Sequence, residues 1–329
     1  MKELIKKVVE TYGPAGSEAQ IRELIRSEIA PYVDEMRVDA LGNLIALKRG
    51  GGKKLMLAAH MDEIGIIVTH IDKNGFLRFF PVGGLSPLTL IGNRVMFENG
   101  TLGVVGAEKL EAQKDLSLNK LFIDIGAASK TEAEVKVGIG DVACMSREFA
   151  DLGTRLVAKA MDDRIACAIL IEALKAVRKP TYDIYAVFTT QEEVGLRGAR
   201  VAAYDITPDL GIAIDVTRTG DTPESITMDV SLGKGPTVKI RDSSLLCTPS
   251  VRKFMEEVAQ QNNIIYQLEV LEAGGTDAGA IQLTKGGIPA GVMSIPCRYI
   301  HTASEMVDYS DVQNGVKLLV GIMETEFKG

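Results

Sequence analysis

Cysteine is scarce in this 329-residue chain, and its four copies, Cys144, Cys167, Cys247 and Cys297, form no Cys-x-x-Cys pair. That spacing argues against thiolate zinc sites and a secreted disulfide framework, so all four are expected as core thiols. Basic residues are not in excess either: 37 lysines and arginines stand against 44 acids, a net charge of −7. No broad basic surface is expected, which removes nucleic acid and anionic lipid as partners. No apolar run reaches the roughly 18 residues of a membrane helix, and charges interrupt the apolar residues of the N-terminal Met-Lys-Glu-Leu-Ile-Lys-Lys. The expected location is the cytoplasm. Also missing are a Gly-x-x-x-x-Gly-Lys-Ser/Thr phosphate loop and a Gly-x-Ser-x-Gly elbow. Gly138-Ile-Gly140-Asp-Val-Ala143 matches the letters of a dinucleotide fingerprint. No helix reads after it to hold a pyrophosphate, so it is a turn.

What is present reads as a globular protein of about two domains, 46% hydrophobic and 25% charged. Residues 1–34 read as helical, with Ser17 and Gln20 as a capping box ahead of Ile21, Leu24, Ile25 and Ile29, and Pro31 as the stop. A hairpin is predicted over 36–47, turning at Gly42-Asn43, and a buried strand over 54–59. From Ile66 to about Asp151 come short β-rich runs between Asn74-Gly75, Gly83-Gly84, Asn99-Gly100 and Gly138-Ile-Gly140, with one helix capped by Ser129 and Glu132. Alternating elements then resume: a helix over 163–178, strands over 182–190 and 210–216, a helix over 249–262 capped by Thr248, strands over 264–270 and 288–295, and a last helix behind Ser310. The pattern predicts a mixed α/β sheet flanked by helices. Residues 1–66 and 153–329 are expected to form one discontinuous α/β domain, and 67–152 an inserted β-rich domain.

In open α/β sheets the ligand site lies at the carboxyl ends of the strands. Polar residues occupy those ends: His60 and Asp62, Glu192 and Glu193, Asp215 and His301, with Asp162 where a helix opens. Each alone has a plainer role, as a structural histidine, a helix cap or a solvated acid pair. Together they form a nitrogen-and-oxygen set suited to zinc, cobalt or manganese. Residues two apart on an extended segment share a face, so Asp62 can accept the second ring N–H of His60. Glu192 and Glu193 diverge as neighbours, leaving one for metal and the other for an attacking water. His70, inside the β-rich block, reads as structural.

Ala59-His60-Met-Asp62-Glu63-Ile-Gly65, Ala158-Lys-Ala-Met-Asp162-Asp163-Arg164, Thr190-Gln-Glu192-Glu193-Val-Gly195, Ala213-Ile-Asp215-Val and Gly274-Gly275-Thr276-Asp277-Ala278, closed by Ile295-Pro-Cys-Arg298-Tyr299-Ile-His301, stand in one order along the chain. In that series the sequence resembles the dinuclear-metal aminopeptidases that include the tetrahedral and glutamyl aminopeptidases. The resemblance implies a zinc-exopeptidase-like fold with a PDZ-like dimerisation insert, and two divalent ions per subunit. Asp162 would bridge them, His60 and Asp215 completing one site and Glu193 and His301 the other. Glu192 would be the general base and Asp62 the partner of His60. Peptides would be the substrates, and a homo-oligomer, up to a tetrahedral dodecamer, the assembly. Gly274 to Ala278 is expected in the pocket wall; no motif covers the charged segment 108–119. Two other functions compete. A glycoside hydrolase needs paired carboxylates roughly 5 to 9.5 Å apart across the scissile bond, and neighbours on one segment rarely provide that. A non-catalytic assembly shell would keep a closed structural metal site.

Overall fold

Apolar runs bounded by glycine and charge become the centre of the large sheet. In the structure, a computed structural model describing residues 1–329, Asp183–Thr189, Lys54–His60, Leu210–Thr217 and Ala290–Arg298 lie side by side in parallel. Their near-continuous burial, complete along Leu210–Thr217, is what a strand covered on both faces requires. Antiparallel strands extend the sheet both ways. On one side is the hairpin of Glu35–Val38 and Leu44–Lys48; on the other are Glu305–Asp308, Arg155–Ala158 and Ala150–Asp151. The hairpin turn is tied by Asp39 Oδ1, which accepts the N–H groups of Leu41, Gly42 and Asn43, each at 3.0 Å.

Side-chain alternation divides the strands between two helical layers. Leu55, Leu57 and Ala59 pack with helix Met161–Ala176, which is apolar nearly all round and lies under Lys2–Glu10, Ala19–Ile29 and Tyr309–Glu324. Met56 and Ala58 face the opposite layer of Arg197–Ile206 and Asp277–Gln282. The result is a mixed α/β sheet flanked by helices. No helix is long and apolar enough to cross a membrane, and all four cysteines are buried and unpaired.

Between these elements of the large sheet a second, closed antiparallel barrel is formed. Its strands follow the order Gly65–Ile71, Leu77–Val82, Leu121–Asp124, Leu102–Ala107, Arg94–Phe97 and Val142–Met145. Ile66, Val68, Leu77, Val95, Val105 and Ile123 fill it. The helix within it, Lys130–Lys136, is capped by Ser129 Oγ accepting from Glu132 N–H at 3.3 Å. A strand, not a helix, follows the Gly138–Asp141 turn. His70 is exposed on the barrel, beside a bulge in its strand.

Several local expectations are corrected. The N-terminal segment holds two helices, Lys2–Glu10 and Ala19–Ile29, parted by a break at Gly13-Pro14, where Pro14 bridges to Glu63. Ser17 caps nothing; Glu18 stands at the cap position, and its carboxylate serves Gly16 N–H at 2.7 Å and Gln191 N–H at 3.3 Å. Thr248 sits at its helix's cap position but its Oγ1 accepts from Ala290 N–H at 3.2 Å instead. The last helix is capped by Asp308, which accepts from Ser310 N–H. The strand expected over 264–270 is shorter, Gln267–Val270, because Ile264 leaves the preceding helix in a turn.

Candidate metal centre

The parallel register delivers the polar residues to one edge. His60 ends its strand directly beside Thr189, and Glu192 and Glu193 follow Thr189 after a turn in which Gln191 takes a left-handed backbone (φ 55°). Asp215 comes from the neighbouring strand and His301 from the loop after Arg298. Asp162 enters from the start of helix Met161–Ala176, before regular helical geometry begins. Six of the seven residues singled out from sequence, His60, Asp162, Glu192, Glu193, Asp215 and His301, line one cavity of about 350 Å³. Asp62, fully buried, lies behind it.

Asp162 is the centre of the arrangement. Its Oδ1 lies 3.0 Å from His60 Nε2 and its Oδ2 lies 3.3 Å from His301 Nε2. His301 Nε2 is also 3.2 Å from Glu193 Oε2. Two groups result, His60 with Asp162 and Asp215, and Asp162 with Glu193 and His301; within each, the donor atoms lie within 4.8 Å of one another. Glu193 Oε1 is buried without a hydrogen-bond partner. A buried anionic oxygen left unpaired is costly, and that cost is relieved when a cation is present. The donor set and this orphaned oxygen therefore fit divalent cations.

The proton equilibria agree. Burial pushes the carboxyls of Asp215, Glu192 and Glu193 up, and neighbouring carboxylates such as Asp162 reinforce it. For His301, burial works against the charged ring, but hydrogen bonds to Asp162 and Glu193 outweigh it and push the imidazole up to about 11. His60 is raised in the same way by Asp162 and Asp62 against its burial. Asp162, despite burial, is held below the usual carboxylate range by the two histidines. Acids that need cations thus borrow imidazoliums; a bound metal would reverse that logic and take neutral histidine.

Two buried carboxylates outside the cavity fix the main chain of these residues. Asp62 accepts from Glu192 N–H at 3.0 Å and from Glu193 N–H at 3.2 Å. Its relation to His60 is looser: the ring Nδ1 is 3.2 Å from the Asp62 backbone oxygen and 3.5 Å from its carboxylate. Glu305, unnoticed in sequence, accepts from Asp162 N–H at 2.9 Å and from His301 N–H at 2.7 Å. Asp277, buried under the same edge, accepts from Thr189 Oγ1 at 2.5 Å. Of the segment expected in the pocket wall, Gly274 and Gly275 line the cavity and Ala278 lies in the core. The barrel reaches the site too. Its Gly83 and Gly84 lie so close to Glu193 and His301 that a Cβ on Gly84 would stand 2.8 Å from His301 Nδ1.

Fold and donor set define an α/β protein that gathers side chains fit to hold cations in a cleft at the carboxyl edge of its sheet. The family follows from the comparisons. A family model described as M42 glutamyl aminopeptidase matches residues 42–318. The chain is 55% identical over 321 residues to a putative aminopeptidase of Acetivibrio thermocellus, covering 97% of each. An aminopeptidase of the archaeon Desulfurococcus kamchatkensis superposes with a TM-score of 0.95 at 40% identity, covering 99% of this chain and 97% of the other. A Pyrococcus horikoshii TET1 peptidase described as assembling into a tetrahedron or a large octahedral shell superposes with a TM-score of 0.89 at 36% identity, covering 98% of each. The chain belongs to the M42 family and is an aminopeptidase of that family.

Proposed function

We propose that the chain removes N-terminal residues from peptides by hydrolysis at a pair of divalent cations. The observation that carries the reading is the divided engagement of Asp162, one oxygen toward His60 and the other toward His301. His60, Asp215 and Asp162 would hold one cation, and Glu193, His301 and Asp162 the other. Cations held there would lower the pKa of a bound water and polarise a scissile carbonyl. Glu192, on the cavity wall and not needed as a ligand, takes that water's proton as general base and returns it to the leaving amine. A free substrate α-amine faces the surrounding carboxylates, which accounts for exopeptidase action. Zinc, cobalt and manganese all accept this donor set.

Residues 67–152 would serve self-association. Phe80, Leu88, Leu102 and Val104 of that stretch are between 46% and 66% exposed, and the P. horikoshii relative assembles into closed shells. A homo-oligomer, a dodecamer among the options, accounts for both. Buried free cysteines fit a reducing cytoplasm. A glycoside hydrolase would leave His60 and His301 without use, and the family match does not favour it.

The test is a pair of variants. Glu192→Gln should keep two ions and lose about 10² to 10⁴ in rate, while Glu193→Gln should drop toward one ion per chain. Elemental analysis beside hydrolysis of aminoacyl chromogenic substrates reads both. Loss of metal from Glu192→Gln with two ions retained by Glu193→Gln reverses the roles, and full activity in both refutes the mechanism.

A further inference from the structure

We infer that Glu305 is a positioning residue that holds Asp162 and His301 in register for the cation pair. Glu305 opens the strand Glu305–Asp308, where it is 1% exposed and pairs with Ala158 of the antiparallel strand Arg155–Ala158. It therefore stands at the root of two segments. One runs forward from Ala158 to Asp162, and the other back from Glu305 to His301. Each carboxylate oxygen takes one of them, Oε2 accepting from Asp162 N–H at 2.9 Å and Oε1 from His301 N–H at 2.7 Å.

Both segments need such a hold. Ala160, Tyr299 and His301 are in the left-handed region, with φ of 53°, 61° and 63°, a conformation that non-glycine residues keep only where the surroundings impose it. Glu305 imposes it on His301 directly through the residue's own N–H. The side chain does not reach the cavity itself, so its effect on a cation passes through the two ligands. Supporting partners of metal ligands are commonly worth 10- to 100-fold in affinity or activity.

The inference rests on the two-cation reading, and the experiment separates them. The metal-free chain is titrated with zinc in competition with a chromophoric chelator, for wild type, Glu305→Gln and Glu305→Asp. Glutamine keeps one acceptor and turns an NH₂ donor toward the other amide; aspartate keeps the carboxyl group but is too short to serve both. Wild type should take up two ions. A variant that still melts cooperatively without metal should bind at least one of the two tenfold or more weakly, with aspartate the milder change. A fall of less than tenfold at both steps overturns the inference alone. So does the absence of a melting transition in both variants, which assigns Glu305 to the integrity of the fold. A wild-type chain that takes up a single ion refutes the two-cation reading, and the inference falls with it.

Discussion

Adding one methyl group at Gly84 tests whether the barrel shapes the metal centre. The Cβ of Gly84→Ala would stand 2.8 Å from His301 Nδ1 and 3.0 Å from Cε1, against about 3.5 to 4.0 Å for a relaxed contact between heavy atoms. The imidazole must withdraw by roughly 0.7 Å or more, beyond the roughly 0.5 Å tolerance of a working site. Overpacking of this size costs about 1 to 3 kcal/mol. His301 keeps 34% of its side chain exposed, so the ring can swing outward without disturbing the core. The cost should fall on the cation it holds, weakening that ion roughly 10- to 100-fold at 1.4 kcal/mol per decade. The metal-free melting temperature should change little. Gly286→Ala, whose added Cβ meets nothing within 4 Å, is the control. Metal titration of the three chains reads the result. Two ions held by Gly84→Ala with wild-type affinity would show that the barrel loop lies beside the site without shaping it.

Three further outcomes follow from buried charge. Zinc at 100 times its dissociation constant should stabilise the chain by about 2.7 kcal/mol, and a chelator should remove that gain; a melting temperature indifferent to both argues against a cation at Asp162. Asp277 is raised by burial, against its Thr189 hydrogen bond, from 3.8 to about 6. The folded metal-free state therefore holds a proton that the unfolded chain loses first, so its stabilising effect is present below pH 3.8 and lost as pH rises toward 6. Asp277→Asn, which cannot ionise, should gain on wild type over that window by at most about 3 kcal/mol, as read by urea unfolding at pH 4 and pH 7; an unchanged difference refutes the shift. Lys159→Met leaves the buried Glu63, now 2.7 Å from the ammonium, with only Arg164 at 3.3 Å. Unfolding free energy should fall by about 3 kcal/mol, and a neutral result would mean that Arg164 compensates alone.

Of the proposed ligands, His60 and Asp215 were legible because they close runs of apolar residues. A strand buried on both faces can hold an acid such as Asp215 only with a partner, so a polar residue at its carboxyl end is conspicuous. Other elements lacked any such contrast. Arg197–Ile206 buries Gly198, Ala199, Ala202 and Ala203, small residues that produce no stripe of large apolar side chains. The reason lies in tertiary contact: a Cβ on Gly198 would stand 2.4 Å from Thr190 O and 2.3 Å from Asn43 Oδ1, the latter on a segment far away in sequence. Ser17 and Thr248 had the right residue type at a helix start, but nearby competitors decided, Glu18 for one and Ala290 N–H for the other.

Glu305 and Asp62 show where a residue pattern stops being informative. A metal ligand is chosen by its side chain, so histidine and carboxylate at strand ends are recognisable as letters. The groups these two carboxylates hold are backbone amides, of Asp162 and His301 in one case and of Glu192 and Glu193 in the other, and an amide is the same at every residue but proline. Nothing in the letters of residues 162 and 301 announces that a single acid serves both. The spacing between them is set by the sheet, through the pairing of Ala158 with Glu305. Support of this kind becomes visible only when the register is known.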